Sequence, residues 1–262
     1  MHPAPSLVVA AAVAAVAWTA GAGAAVTVML VVAMLGFQFS IGALNDLADA
    51  DADRAEHVAK PISYGAVSTR TAIAIVLVGT VVGLTVSASF GPLVLLLGAA
   101  GWSCGVAYDL VLRRLGLGWI AFVLALPLLL AWTWSAVGAP LPATWPLMLA
   151  VAALAGPTLH LANSLVDLER DARAGRRTLA TRTEARASRL TLSLLVGAIL
   201  LLTLLAVARS STTAAVLAYG LGATLALFGL GLAWGRSWQR REAGWLLLAS
   251  AMVPMTVAWL AD

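Results

Sequence analysis

Apolar runs of about twenty residues recur along the whole chain, broken only by short clusters of Gly, Pro and charged residues. At 1.5 Å per residue each run covers roughly the 30 Å of a bilayer's hydrocarbon core. None alternates apolar with polar positions over the ten or so residues of a barrel strand, so the runs predict helices. Nine spans follow, at about 6–21, 23–44, 70–88, 91–110, 118–137, 143–163, 187–207, 212–234 and 241–261. The tract at 6–21 has no basic residue before it, unlike a signal peptide, and is read as the first span. The chain is therefore expected to be an all-α integral membrane protein, a single polytopic domain over residues 1–262.

The polar connections are one-sided. Short links at 20–24, 87–92 and 136–146 alternate with longer ones at 46–69, 113–118, 167–189 and 235–241. Of the 16 Lys and Arg residues only Arg209 falls on the side of the short links, which by the positive-inside rule places the longer loops and the amino terminus in the cytoplasm. An odd number of spans puts Asp262 outside, in the expected setting of an inner (plasma) membrane. The hydrophobic share of 61% and charged share of 11% agree with lipid as the surrounding medium. The net charge of +4 is accounted for by this orientation and calls for no nucleic acid. A single cysteine, Cys104, excludes an internal disulfide or a multi-thiolate metal site.

Orientation requires bases but not acids, yet the acids are clustered too. Asn45, Asp49 and Asp53 are spaced i, i+4, i+8, with Asp46 beside them, and Asn163, Asp167 and Asp171 repeat that register at a constant offset of 118 residues. If each helix continues past the membrane boundary, each set lines one face. Carboxylates so placed repel one another unless a cation sits among them. Two such half-sites, 45–53 and 163–171, suit Mg2+, which keeps several waters and bridges a few carboxylates to phosphate oxygens. Asp51 and Glu169, two residues from their neighbours in each set, should point away. Lys60, Arg113, Arg114 and Arg177, with Arg176, follow the acidic clusters and are placed to hold diphosphate oxygens. Asp109 is expected to pair with Arg113, and Arg182, Arg186, Arg189, Arg236, Arg240 and Arg241 to do no more than orient the protein. His160 is expected to be a packed polar residue, Pro127 and Pro157 to kink their helices, and most tryptophans to form an interfacial belt.

Asn45-Asp46-Leu47-Ala48-Asp49 with Asp53 resembles the first aspartate-rich motif of the UbiA family of intramembrane prenyltransferases, and Asp167-Leu168-Glu169-Arg170-Asp171 resembles the second. Gly175-Arg176-Arg177-Thr178-Leu179, Lys60-Pro61 with Gly65 and Ser68, and Tyr108 before Arg113-Arg114 are similar to further stretches of that family. The likeness covers nearly the whole chain. It implies nine helices in two pseudo-repeated four-helix units plus one, Mg2+ at the two motifs, and an isoprenyl diphosphate as donor. Three departures stand out: Ser164 follows Asn163, Ala180 follows Thr178-Leu179, and the first span lacks an Arg or Asn near its cytoplasmic end.

The chemistry expected is metal-assisted ionisation of an allylic diphosphate. Asn45, Asp46, Asp49, Asp53, Asn163, Asp167 and Asp171 would hold the metal, with Asp49, Asp53, Asp167, Asp171 and Tyr108 as the catalytic set. Tyr108 would face the carbocation in a dry pocket. A small hydrophobic acceptor from among the membrane lipids is expected, because the cation forms at the membrane face and the cytoplasmic loops are too short to build a domain for a large polar partner; the resemblance implies a quinone-type aromatic ring as its leading form. Two other classes share these features: a terpene cyclase on the same scaffold, and a lipid-binding or transport protein without chemistry.

Overall fold

The computed structural model describes residues 3–55, 60–173, 175–176, 178–209 and 212–260. Nine long helices account for most of them: α1 Pro3–Thr19, α2 Ala24–Ala55, α3 Thr69–Ser89, α4 Pro92–Leu115, α5 Gly118–Val137, α6 Trp145–Val166, α7 Ala185–Val207, α8 Thr213–Ala233 and α9 Trp238–Leu260. Eight are long and apolar enough to cross a membrane, and α1, at 17 residues, sits at the short end of spanning length. Large apolar side chains such as Leu77, Val81, Leu194, Leu217 and Phe228 point outward, while the helix contacts are filled by small residues. That distribution fits lipid as solvent, and the chain is a multi-pass membrane protein.

Packing divides the helices as the two-unit expectation requires. Helices α2 to α5 pack in sequence, as do α6 to α9, with α9 returning to α6. The α5–α6 contact joins the units on one side, and α1, packed on α2, α5 and α9, closes the other. Each half-site therefore sits at the end of the first helix of its unit. Glycine sets the closest approaches: a Cβ on Gly36 of α2 would lie 2.8 Å from the Gly79 carbonyl of α3, and one on Gly229 of α8 2.9 Å from the Gly244 carbonyl of α9.

One expectation is corrected at this level and one is narrowed. Helix α2 runs unbroken through Asn45, Asp49 and Asp53, but the second set is not on one continuous helix: α6 ends at Val166, Asp167 caps it at φ −95, ψ 14, and a separate turn of helix follows at Leu168–Arg173. Three of the ten tryptophans are not available to a belt. Trp132, Trp134 and Trp259 are buried, their indole N–H groups donating to Ser87 Oγ, the Ala139 carbonyl and Thr203 Oγ1 at 3.0, 3.1 and 3.0 Å. An indole can be buried where its one donor finds an acceptor, and hydropathy cannot reveal that acceptor.

Candidate active site

The first half-site is built on the last three turns of α2. Lys60 reaches into it from the turn Lys60–Gly65, where its backbone and the Ser63 hydroxyl exchange hydrogen bonds at 3.2 and 2.9 Å. Its Nζ lies 2.8 Å from Asp53 Oδ2, 3.3 Å from Asp49 Oδ2 and 3.8 Å from Asp46 Oδ1. Arg113 grips Asp49 with both guanidinium nitrogens, Nη1 at 2.8 Å from Oδ2 and Nη2 on Oδ1. A π-helical turn at Tyr108–Leu112 widens α4 just before Arg113, and buries Asp109 against α2, where it accepts from Asn45 Nδ2 at 2.8 Å. The expected Asp109–Arg113 pair is thus replaced: the wide turn sends the two side chains to different partners on α2.

The second half-site lies across from the first. Asp167 faces the same cavity and makes no ion pair with a described residue, whereas Asp171 pairs with Arg176 at 3.3 Å. Gly175, at φ 65, closes a Schellman turn in which the Arg176 N–H donates to the Asp171 carbonyl at 2.9 Å and the Gly175 N–H to Ala172 at 3.2 Å. Burial chiefly, and the neighbouring Asp167 charge next, hold the Asp171 carboxyl above its ordinary range despite Arg176. Arg170 joins the half-sites, donating to Asp53 Oδ1 at 3.0 Å. Arg182, from the following loop, donates to the Leu115 carbonyl at the end of α4 at 3.0 Å.

Between the half-sites opens a cavity of about 1770 Å³ that runs deep into the bundle. Its mouth is lined by Asn45, Asp46, Asp49, Asn163, Asp167 and Asp171, together with Lys60, Arg113, Arg114, Arg170 and Arg176. Further in, the walls are apolar. Inside the mouth Tyr108 meets Phe122 and His160 edge to face, with ring centroids 5.4 and 6.0 Å apart, and Phe122 and His160 lie tilted to each other at 5.3 Å. Deeper still come Met148, Val151, Ile199 and Trp259.

The UbiA prenyltransferase family model matches residues 6–260. The chain belongs to that family. Among solved structures it is similar to a UbiA homologue from Aeropyrum pernix K1 (TM-score 0.78, 19% identity, covering 98% of this chain and 96% of that one). It also resembles a UbiA homologue from Archaeoglobus fulgidus bound to GPP and Mg2+ (0.74, 16%, 97% and 96%). A third likeness is to a digeranylgeranylglyceryl phosphate synthase (0.68, 13%, 98% and 92%). No curated protein matches the sequence.

Several features of this UbiA family member bear on a metal. The donors at the mouth are hard oxygens from carboxylates and amides, the set that Mg2+ takes. No group of three or more Asp, Glu, His or Cys side chains converges as a closed cage among the described residues; Lys60, Arg113 and Arg176 instead sit on the carboxylates. That arrangement suits a cation bound largely by water and substrate phosphate, for which one or two protein carboxylates per ion suffice.

The predicted residues meet at one mouth, with qualifications. Asp53, 1% exposed, is not part of the cavity wall; it anchors Lys60 and Arg170 from behind. Arg177 lies outside the described residues. Asp51 does point away, its side chain 98% exposed and paired with Arg54. Glu169 also leaves the cavity but is held by Arg241, which is buried and not a mere orienting charge. Asp109, Arg170 and Arg241 are the functional neighbours that sequence reasoning missed. No local signal marked Arg241, whose partners Val166 and Glu169 lie 75 and 72 residues away.

Proposed function

We propose that the protein catalyses Mg2+-dependent transfer of a prenyl group from an isoprenyl diphosphate to a small hydrophobic acceptor. The observation that carries this reading is the mouth itself: two half-sites of Asn and Asp, ringed by basic side chains, open onto one deep apolar cavity. Asn45, Asp46, Asp49, Asn163, Asp167 and Asp171 are the residues that would hold Mg2+. Bound there, the metal would supply Lewis-acid neutralisation of the diphosphate as the allylic C–O bond breaks. Lys60, Arg113, Arg114, Arg176 and Arg177 take up the leaving group's charge. Lys60 and Arg113, which rest on the aspartates, would do so by exchanging carboxylate for phosphate oxygens. Tyr108 and Phe122 line the space where the cation forms, and the apolar walls beyond keep water from it. The Archaeoglobus homologue's complexes with GPP or DMAPP and Mg2+ support the donor class.

The mouth is assigned to the cytoplasmic face of the plasma membrane by its basic residues, with the amino terminus inside and the carboxyl terminus outside. An uncharged aromatic or quinone-type acceptor fits the walls, because every lining lysine and arginine lies at the mouth. The deciding experiment incubates purified protein with Mg2+ and dimethylallyl, geranyl or geranylgeranyl diphosphate, with and without a membrane-lipid extract, and analyses apolar products by mass spectrometry. A prenyl adduct formed only with extract is expected. A hydrocarbon or terpene alcohol from donor alone would replace transfer by cyclisation, and absence of both products and of Mg2+-dependent donor binding would end the enzyme reading.

A further inference from the structure

Arg241 is 2% exposed, an unusual burial for a guanidinium, and two of its three contacts fall on one short segment. Its Nη2 donates to the carbonyl of Val166, the last residue of α6, at 3.3 Å, and also to Glu169 Oε2, while Nη1 donates to the Arg236 carbonyl at 2.9 Å. The last carbonyls of any helix lack intrahelical donors, so a cation placed there meets both an unsatisfied acceptor and the negative end of the helix dipole. Arg241 is therefore attached on either side of Asp167, to the residue before the helix break and to a residue of the turn after it.

We propose that Arg241 is a positioning residue for the second half-site, and that through Glu169 it sets the rotation of the Leu168–Arg173 turn that carries Asp171. The contrast between the half-sites carries the argument. In the first, α2 continues unbroken to Ala55, so the helix alone fixes where Asn45 and Asp49 point. In the second the ladder is interrupted at Asp167, and some other tie must replace it. Successive helical residues turn by about 100°, so within the Leu168–Arg173 turn Glu169 faces nearly opposite to Asp171. Drawing Glu169 toward α9 turns Asp171 to the other side, which is where the cavity lies. A buried ion pair of this kind adds little net stability but selects one arrangement among several.

This inference rests on the reading that Asp167 and Asp171 help to bind Mg2+ and diphosphate. Its test uses the full-length protein in lipid nanodiscs, with Mg2+ titrated at saturating geranyl diphosphate and donor binding followed calorimetrically. Arg241→Gln and Glu169→Gln should each raise the Mg2+ concentration for half-maximal binding about tenfold, as loss of a group that orients a metal ligand does. Donor affinity at saturating Mg2+ should change by less than about twofold, because no basic residue of the mouth is altered. Arg241→Lys should fall between, since an ammonium cannot span carbonyl and carboxylate with a fork of donors. Should Arg241→Gln fail to fold, Glu169→Gln, whose side chain is mostly exposed, carries the test. Folded variants with an unshifted Mg2+ requirement would overturn the positioning role, even if their melting temperatures fell. Wild-type protein that binds donor without Mg2+, or not at all, would instead overturn the reading of the site.

Discussion

Replacing Lys60 with Met separates the charge of the side chain from its bulk, and the geometry sets the size of the effect. The ammonium lies between 2.8 and 3.8 Å from oxygens of three aspartates, of which Asp46 and Asp53 are buried. At an effective dielectric near 20, a pair at 4 Å interacts by about 4 kcal/mol, and breaking a buried pair costs about 3 to 5 kcal/mol once desolvation is included. Asp49 retains Arg113 and Asp53 retains Arg170, so the lower figure, about 3 kcal/mol, applies. By the usual scaling for a chain of this size that lowers the melting temperature by on the order of 10 °C. The variant should also respond more strongly to metal. If the aspartates are ligands, Mg2+ added without substrate enters the place of the missing charge and should restore about half of the loss in Lys60→Met, while changing wild type little. Thermal unfolding followed by fluorescence in detergent, with and without Mg2+, reads both quantities. An equal Mg2+ increment in the two proteins would refute the claim that Lys60 and the cation share these carboxylates.

Asp49→Ala and Asp167→Ala should abolish Mg2+-dependent diphosphate release in protein that still inserts and folds, with Asp51→Ala, exposed and outside the cavity, close to wild type in the same assay. Gly79→Val should lower stability by about 3 kcal/mol or prevent folding, because its Cβ would collide with the Gly36 carbonyl on a backbone that cannot move aside; melting of the purified variant measures this. Trp259→Ala, which removes a side chain at the deep end of the cavity, should favour longer prenyl donors in a competition among chain lengths. Asp171, its pKa raised by burial and by Asp167, contributes stability in acid that is lost as pH rises through that raised value. Mg2+ competes with the proton and stabilises the ionised form, so its increment in melting temperature should be larger at about pH 8 than at about pH 5.

The number and length of the spans were legible from hydropathy because the bilayer imposes them locally, one segment at a time. The two half-sites were legible for a related reason. An Asn-x-x-x-Asp-x-x-x-Asp register repeated at a fixed offset has no use in solvation, and both copies do meet at one mouth. Sequence spacing predicts a shared face only while the helix persists, however, and it persists in α2 but not beyond Val166. What fills such a break comes from far along the chain: Arg241 lies 75 residues from Val166 and carries no local sign of that contact. The same holds for Asn45 with Asp109, for Arg170 with Asp53, and for the buried indoles that find Ser87 and Thr203. Hydrogen-bond partners of buried polar groups are selected by how helices are juxtaposed, not by periodicity along any one of them. Spacing along the chain thus marks most of the residues that gather at the mouth, because each face is set within one helix; helix packing selects which of them line the cavity and which, like Asp53 and Arg241, hold the others in place.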